Sequence, residues 1–457
     1  MDFTRKGFLG GASALLLGGC ATAAQRPKKL DKVRLAAVGC GGMGGSATRA
    51  LLAQQGVELV ALCDVNADAF APWSKTHPGV PHYVDYRKML AEMGGRFDAV
   101  QIGTPDHTHA YIAIDCMNAG KHVYVQKPLA RTFEECEMMR AAQQRTGVVV
   151  QMGNQGHPGV LRYDVLAKAG LWGEVTEIEG WSDRPIWPQG MTAFPATQPL
   201  PANVTAEGWD CWCGPSADHG YNRAYMPSFW RGWWDYGCGA IGDMAVHNVD
   251  PAFWTFKLGL PVEIEGDTCG GPAATVALPK KSIIKMKFAN GVRFTWYDGG
   301  NKPQPREDWV PGAQVKDNGL IVRGTKATTM GGGWAGSPLV VAAGGHAWDA
   351  ESKKVQSAAA KAIRSVPMED HYGQFVEACR TADPARCLSS LDYAAPFTEA
   401  LLLGCVSLRY PGEKLAFDPV AKRFTNKPEA NAFLKASNRG SFQFSKIANG
   451  KPWWCFS

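Results

Sequence analysis

The sequence predicts an α/β chain: a doubly wound parallel sheet with helices on both faces, followed by an α+β region on a largely antiparallel open sheet. Three observations carry this. A glycine-rich turn, Gly39-Cys40-Gly41-Gly42-Met43-Gly44, directly follows a short apolar run. Apolar strand-like runs then alternate with amphipathic segments up to about residue 155. Beyond residue 156 the alternation stops, and strand-like runs follow one another with loops between.

Residues 33–38 read as a buried strand entering the glycine turn, with a helix-like segment after it. In Gly-x-Gly-x-x-Gly the first glycine permits a tight turn and the second lets backbone approach a pyrophosphate. The third lets helix and strand pack closely, with the phosphate charge at the helix N-terminus. A second strand, 57–63, ends in Asp64, twenty residues after Gly44. A carboxylate there accepts hydrogen bonds from a ribose diol and repels a 2′-phosphate, which favours NAD and leaves NADP as the lesser option. Strands 99–103, 122–125 and 148–152 and helices 110–119 and 133–145 complete a Rossmann-type domain over 33–155. Ligands of such sheets lie beyond the strand C-termini. That rule singles out Thr104-Pro105-Asp106-His107, Gln126-Lys127-Pro128 and Gly153-Asn154-Gln155-Gly156-His157. The expected cofactor-binding set is Gly39, Gly41, Gly42, Met43, Gly44, Asp64, Thr104, Pro105, His107, Lys127, Asn154 and Gln155.

In the second region, 156–457, strands are expected at 175–181, 262–267, 282–288, 292–297 and 320–323. Between the first two lies a long insertion, 181–254, that holds eight of the sixteen tryptophans. Long ordered loops are usually functional. Flat rings beside Arg, Asp, Asn and Gln suit a sugar, whose C–H faces stack while its hydroxyls take directed hydrogen bonds. The competing reading is that these rings fill the core of a loop-rich insertion. His157, Arg184, Trp187, Trp234 and Asp235 are the candidate substrate contacts.

At 457 residues, three times the roughly 150 expected of one domain, the chain is too long for a lone binding module. Its 45% hydrophobic and 20% charged residues suit a packed globular protein and exclude disorder, collagen and coiled coil. The net charge of +6 is scattered, so no nucleic-acid partner is expected. Thirteen cysteines include no Cys-x-x-Cys pair and no metal site is expected; Cys211 and Cys213 read as a disulfide, a metal pair or, more simply, buried thiols. Residues 1–19 read as a signal peptide, with Arg5 and Lys6 before an apolar run, similar to a twin-arginine leader. Leu17-Gly18-Gly19-Cys20 resembles a lipobox, which makes Cys20 a lipidation site and 20–32 a flexible linker on the periplasmic side of the envelope. Apart from that lipid at Cys20, no membrane contact is expected.

The glycine turn, Thr104-Pro105-Asp106, Lys127-Pro128 and Gly237-Cys238-Gly239-Ala240-Ile241-Gly242-Asp243-Met244-Ala245-Val246-His247 together resemble the Gfo/Idh/MocA oxidoreductases, the family of glucose-fructose oxidoreductase and inositol dehydrogenase. The resemblance covers nearly all of the mature chain and includes the late helix 393–409. It implies homo-oligomers formed through the C-terminal sheet, and export, where free NAD is not expected, implies that the NAD is tightly bound. It also implies catalytic roles for Lys127, between nicotinamide and substrate, and for Asp243 and His247. Independently, Asp243 and His247 stand at i and i+4, on one face of a helix. Oxidising a carbinol needs a base near neutral pH, and histidine titrates there. His247 is therefore the expected base, Lys127 the donor that stabilises alkoxide, and Asp243 the residue that orients substrate or base. The family more often has Glu-Lys-Pro; Gln126 here removes a charge that would keep Lys127 protonated, so its part as base, acid or fixed donor stays open.

The leading expectation is an NAD(P)-dependent oxidoreductase moving hydride between nicotinamide and a secondary hydroxyl of a sugar, glycoside or cyclic polyol. The alternative is redox-neutral glycoside cleavage by transient oxidation and elimination. A third possibility is a saccharide-binding lipoprotein without catalysis.

Overall fold

The computed structural model describes residues 29–272, 276–306, 315–345, 349–367 and 369–442. The expected signal peptide, Cys20 and all but the end of the linker lie outside the described residues.

The first sheet is wholly parallel: β1 (Val33–Val38), β2 (Val57–Cys63), β3 (His82–Tyr83), β4 (Ala99–Ile102), β5 (His122–Gln126) and β6 (Val150–Gly153), in the order β3-β2-β1-β4-β5-β6. This is the Rossmann order, with the reversal between β1 and β4. Helices cover both faces, so β4, β5 and β6 are buried along their whole length, including the polar Gln101, His122, Gln126 and Gln151 within them. The helix Phe133–Thr146 starts at a capping box, Thr132 with Glu135, and stops at Gly147, whose left-handed φ of 68° closes it.

The second sheet has nine strands: β7 (Val175–Ser182), β8 (Pro261–Asp267), β9 (Ser282–Phe288), β10 (Arg293–Asp298), β11 (Asn318–Gly324), β12 (Ala327–Gly332), β13 (Leu339–Ala342), β14 (Lys414–Asp418) and β15 (Arg423–Phe424). Their order is β13-β12-β11-β7-β10-β9-β8-β14-β15. Every pairing is antiparallel except β7 with β10, because the chain leaves β7 through the long insertion and returns on the far side of β10. In β9, Ser282, Ile284, Met286 and Phe288 face inward while Lys285 and Lys287 face out, the alternation of a half-covered sheet.

The helix Leu391–Ser407 lies between the two sheets, against β8 and β9 on one side and the helix Phe133–Thr146 on the other. Gly404 makes that fit, since a Cβ there would come within 2.9 Å of Ile241 Cδ1 and Met286 Cε. The helix His371–Thr381 packs back onto the first sheet, where Phe375, Val376 and Cys379 share a core with Val33, Leu35, Ala99 and Tyr124. No helix of the described residues is long and apolar enough to cross a membrane.

The insertion builds an aromatic core of its own from Trp209, Trp212, Tyr221, Tyr225, Trp230, Trp233 and Tyr236. Trp209 and Trp212 stack at 4.9 Å, and Trp233 Nε1 donates to the Ala224 carbonyl. Four of the eight tryptophans thus fill the insertion's own core, the role of the competing sequence reading, and two of them, Trp212 and Trp230, also face the cavity described below. Cys211 and Cys213 are free thiols, with Cys213 buried within this core.

His371 is buried, and burial holds its pKa at about 3. An unfolded histidine titrates near 6.5, so between these values the unfolded chain binds the extra proton. Its contribution is complete above about pH 6.5 and is lost as pH falls toward 3, at up to about 1.4 kcal/mol per unit. We expect the Tm advantage of His371→Phe over wild type to widen between about pH 7 and 4.5; a gap that stays constant or narrows in thermal melts contradicts this.

Candidate active site

A cavity of about 620 Å³ runs along the C-terminal edge of the first sheet. Of the expected cofactor residues, Gly39, Gly41, Gly42, Met43, Asp64, Thr104, Pro105 and Lys127 line it. The glycines divide the labour as their positions require. Gly39 has φ +82°, and a Cβ on it would sit 2.6 Å from the Gly103 carbonyl group. A Cβ on Gly44 would sit 2.1 Å from the Gly39 oxygen, so this glycine packs the helix Gly42–Leu52 onto β1 rather than lining the cavity. Beside Gly41 and Gly42 there is open space within 4 Å of where a Cβ would stand.

That open cradle fits a dinucleotide. The helix Gly42–Leu52 begins at Gly41 with no side-chain cap and no acidic residue in its first turn, leaving amide donors and the positive end of the helix dipole for a pyrophosphate. At the end of β2, Asp64 accepts from the Cys40 and Asn66 amides at 2.7 and 2.9 Å. Burial nevertheless raises its carboxyl above the ordinary range, so further donors such as ribose hydroxyls would be welcome.

Four charged side chains alternate at the inner end. Lys127, at the end of β5, donates from Nζ to Asp243 Oδ1 at 2.5 Å and to the Asp243 carbonyl oxygen at 3.0 Å. Arg231 reaches the same carboxylate oxygen through Nε at 2.9 Å and Asp106 Oδ1 through Nη1 at 3.3 Å. Asp106 Oδ2 accepts from the Cys238 amide at 3.2 Å. Lys127 and Arg231 hold the Asp243 carboxyl well below its usual range despite burial, whereas burial dominates at Asp106 and raises it. Burial also lowers Lys127, with Asp243 opposing.

Asp243 and His247 come from a short irregular helical run, π-helical over Ile241–Ala245 and α-helical over Val246–Asn248, rather than from one uniform α-helix. The extra residue in the turn commits Asp243 to the two cations, and it makes no hydrogen bond to His247 among the described residues. Burial with the nearby Lys127 and Arg231 charges holds the His247 imidazole at about 3, so it is neutral. Its Nδ1 is buried without a hydrogen-bond partner among the described residues. The Trp334 ring stacks over it at 5.6 Å and 29°. Trp334 is 48% exposed, and both it and Ala335 have left-handed backbone, φ +57° and +52°. Gly156 and Gly159 receive this turn; a Cβ on Gly159 would stand 2.7 Å from Ala335 Cβ.

Other expected residues are placed elsewhere. His107 is wholly buried, with Nε2 2.7 Å from the Trp212 carbonyl and Nδ1 3.1 Å from that of Tyr236, so it ties the insertion to the first sheet. Asn154 is buried between Ser389 and Asp250. Gln155 bonds Gln126 and Tyr124. His157 is buried with Nδ1 2.8 Å from Asp250. Arg184 pairs with its neighbour Asp183, and Trp187 lies near the Arg231 guanidinium at 5.9 Å. Trp234 and Asp235 line a second, separate cavity. Sequence reasoning missed Arg231, Trp230 and Trp334. For Arg231 the clue was a lone cation among tryptophans; for Trp334 only the flanking glycine run 331–333 hinted at an exposed turn.

Residues 33–154 match the oxidoreductase family described as an NAD-binding Rossmann fold, and residues 164–328 match that family's C-terminal alpha/beta domain. The chain belongs to the Gfo/Idh/MocA oxidoreductases. Among solved structures, this Gfo/Idh/MocA chain is similar to the WlbA dehydrogenase of Bordetella pertussis in complex with NADH and UDP-GlcNAcA, with TM-score 0.58 and 20% identity, over 86% of this chain and 99% of that one. It is also similar to an inositol dehydrogenase homolog of Azotobacter vinelandii complexed with NADH and myo-inositol, with TM-score 0.56 and 16% identity, over 86% and 99%. A curated relative, the alpha-N-acetylgalactosaminidase of Shewanella oneidensis, is 31% identical over 163 residues, which is 33% of this chain and 35% of that protein. The chain thus matches about a third of the length of its curated relatives.

The glycine geometry separates binding from folding. Gly41→Ala should leave Tm unchanged yet weaken NAD binding about tenfold or more, because its methyl enters the cradle. Gly44→Ala should lower Tm, because its methyl strikes backbone. Calorimetric titration with NAD and thermal melts decide; equal effects of the two substitutions on both readouts contradict the assignment.

Proposed function

We propose that this protein is an NAD-dependent oxidoreductase acting on a secondary hydroxyl of a sugar, glycoside or cyclic polyol. The observation that carries the reading is the buried Lys127 ammonium, locked by Asp243 at the inner end of the dinucleotide cavity. Bound NAD supplies the hydride acceptor. Lys127 donates a hydrogen bond to the substrate oxygen and stabilises the negative charge that develops there. Asp243, ionised and clamped by Arg231, fixes the ammonium in that direction. His247, neutral and without a hydrogen-bond partner among the described residues, accepts the hydroxyl proton. An alkoxide forming beside Lys127 offsets the positive charge that depresses the imidazole in the free protein, raising its basicity at the moment it is needed.

Purified protein supplied with NAD and a panel of sugars should show nicotinamide reduction, and Lys127→Ala should keep NAD affinity while lowering turnover by about 10² or more. Wild-type turnover in that variant removes Lys127 from the chemistry.

The exposed ring of Trp334 is the sugar-stacking wall on this reading. Left-handed backbone at two successive non-glycine residues costs about 1–3 kcal/mol each and persists where function uses it. Trp334→Ala should raise KM about tenfold while leaving kcat within about twofold, since stacking binds ground and transition states alike; a loss confined to kcat contradicts the stacking role.

The likeness to the alpha-N-acetylgalactosaminidase favours a second reading, redox-neutral glycoside cleavage through the same residues. Release of reducing sugar without net NADH selects it. Export with lipidation at Cys20 rests on the Leu17–Cys20 lipobox, and labelling of the wild-type but not a Cys20→Ser chain by a fatty-acid analogue tests it. Assembly into homo-oligomers through the C-terminal sheet completes the reading.

A further inference from the structure

A second cavity, of about 270 Å³, opens on the other side of the Trp230–Cys238 segment from the dinucleotide cradle. Its wall carries Arg131, Arg409 and Lys435 against a single carboxylate, Asp235, which is held at 2.7 Å by His219 Nε2. Lys435 is paired at 2.9 Å with Glu134. The two arginines have no ion-pair partner within 4 Å among the described residues, although the buried Glu135 carboxyl lies near Arg131.

The Arg409 guanidinium lies over the Trp234 and Phe433 rings, 4.1 Å from each centroid, and makes no hydrogen bond to the described residues. The rings fix its plane and leave the donor edges to the cavity. Arg131 spends Nη1 on the Trp234 carbonyl at 3.2 Å and Nη2 on Ser437 Oγ at 2.6 Å, while its buried Nε has no partner among the described residues. Burial, with the neighbouring Arg131 charge and against the opposing pull of the Asp235 carboxylate, pushes Arg409 down to about 10. A pair of cations placed together at the expense of their own solvation is a site that an anion completes.

We propose that this cavity binds a small oxyanion, a carboxylate or a phosphate, held in a forked contact by Arg409 with Arg131 as the second charge. Both chemistries present two oxygens that accept from the paired N–H groups of a fixed guanidinium edge, and a cavity of about 270 Å³ holds either anion with water beside it.

The test uses wild-type protein saturated with NAD, so that the dinucleotide cradle cannot take the probe. Tryptophan fluorescence is followed during separate titrations with inorganic phosphate and malonate at constant ionic strength. A saturable change with either probe is expected, and the tighter one identifies the oxyanion class. Arg409→Gln should weaken it about tenfold or more with NAD affinity unchanged, and Arg409→Lys, which keeps charge but loses the fork, should fall between. Wild-type crystals soaked in selenate supply a reading that needs no variant, with an anomalous peak expected within hydrogen-bond distance of Arg409. No saturation by either probe, equal affinity in Arg409→Gln, or an empty cavity in the soaked crystals overturns the proposal.

Discussion

Asp243 receives the Lys127 ammonium from the end of β5 and the Arg231 guanidinium from the insertion on one carboxylate oxygen. Lys127 belongs to the first sheet, while Arg231 and Asp243 both belong to the insertion 181–254, so the insertion must dock on the first sheet before the Lys127 charge is paired. A buried carboxylate with one cation would be a local device. With two, and with Asp106 on the far side of Arg231, it becomes the join between the first sheet and the insertion. Removing any member strands a buried charge, which is why such clusters tolerate little change.

The same join explains why the fold was more legible in the sequence than the site. Parallel strands buried on both faces announce themselves as apolar runs, and the glycine turn has a geometry that few other sequences meet. Lys127, Asp64 and the glycines could therefore be placed from their positions at strand ends. His107, Asn154 and His157 obey the same strand-end rule yet turn inward to brace backbone and Asp250, because strand-end position does not say which way a side chain points. Arg231 and Trp334 come from irregular backbone whose course is set by tertiary contacts, and no periodicity reports that.

The tryptophan-rich insertion shows how composition misleads and informs at once. Its rings pack mainly on each other, giving a segment without long strands or helices a core of its own. That stiffness is what allows a loop to hold Arg231 at hydrogen-bond distance from two carboxylates. The ring most open to a ligand, Trp334, stands outside the cluster, on a turn that is unfavourable by itself and is held by Gly156 and Gly159.

The helix His371–Thr381 completes the cover over the face of β1, β4 and β5 that the helix Gly42–Leu52 shields only in part. A ribosome must therefore deliver more than three hundred residues beyond β1 before Val33, Leu35 and Tyr124 are covered. Until then the nascent nucleotide half carries an open apolar wall, a natural target for holding chaperones.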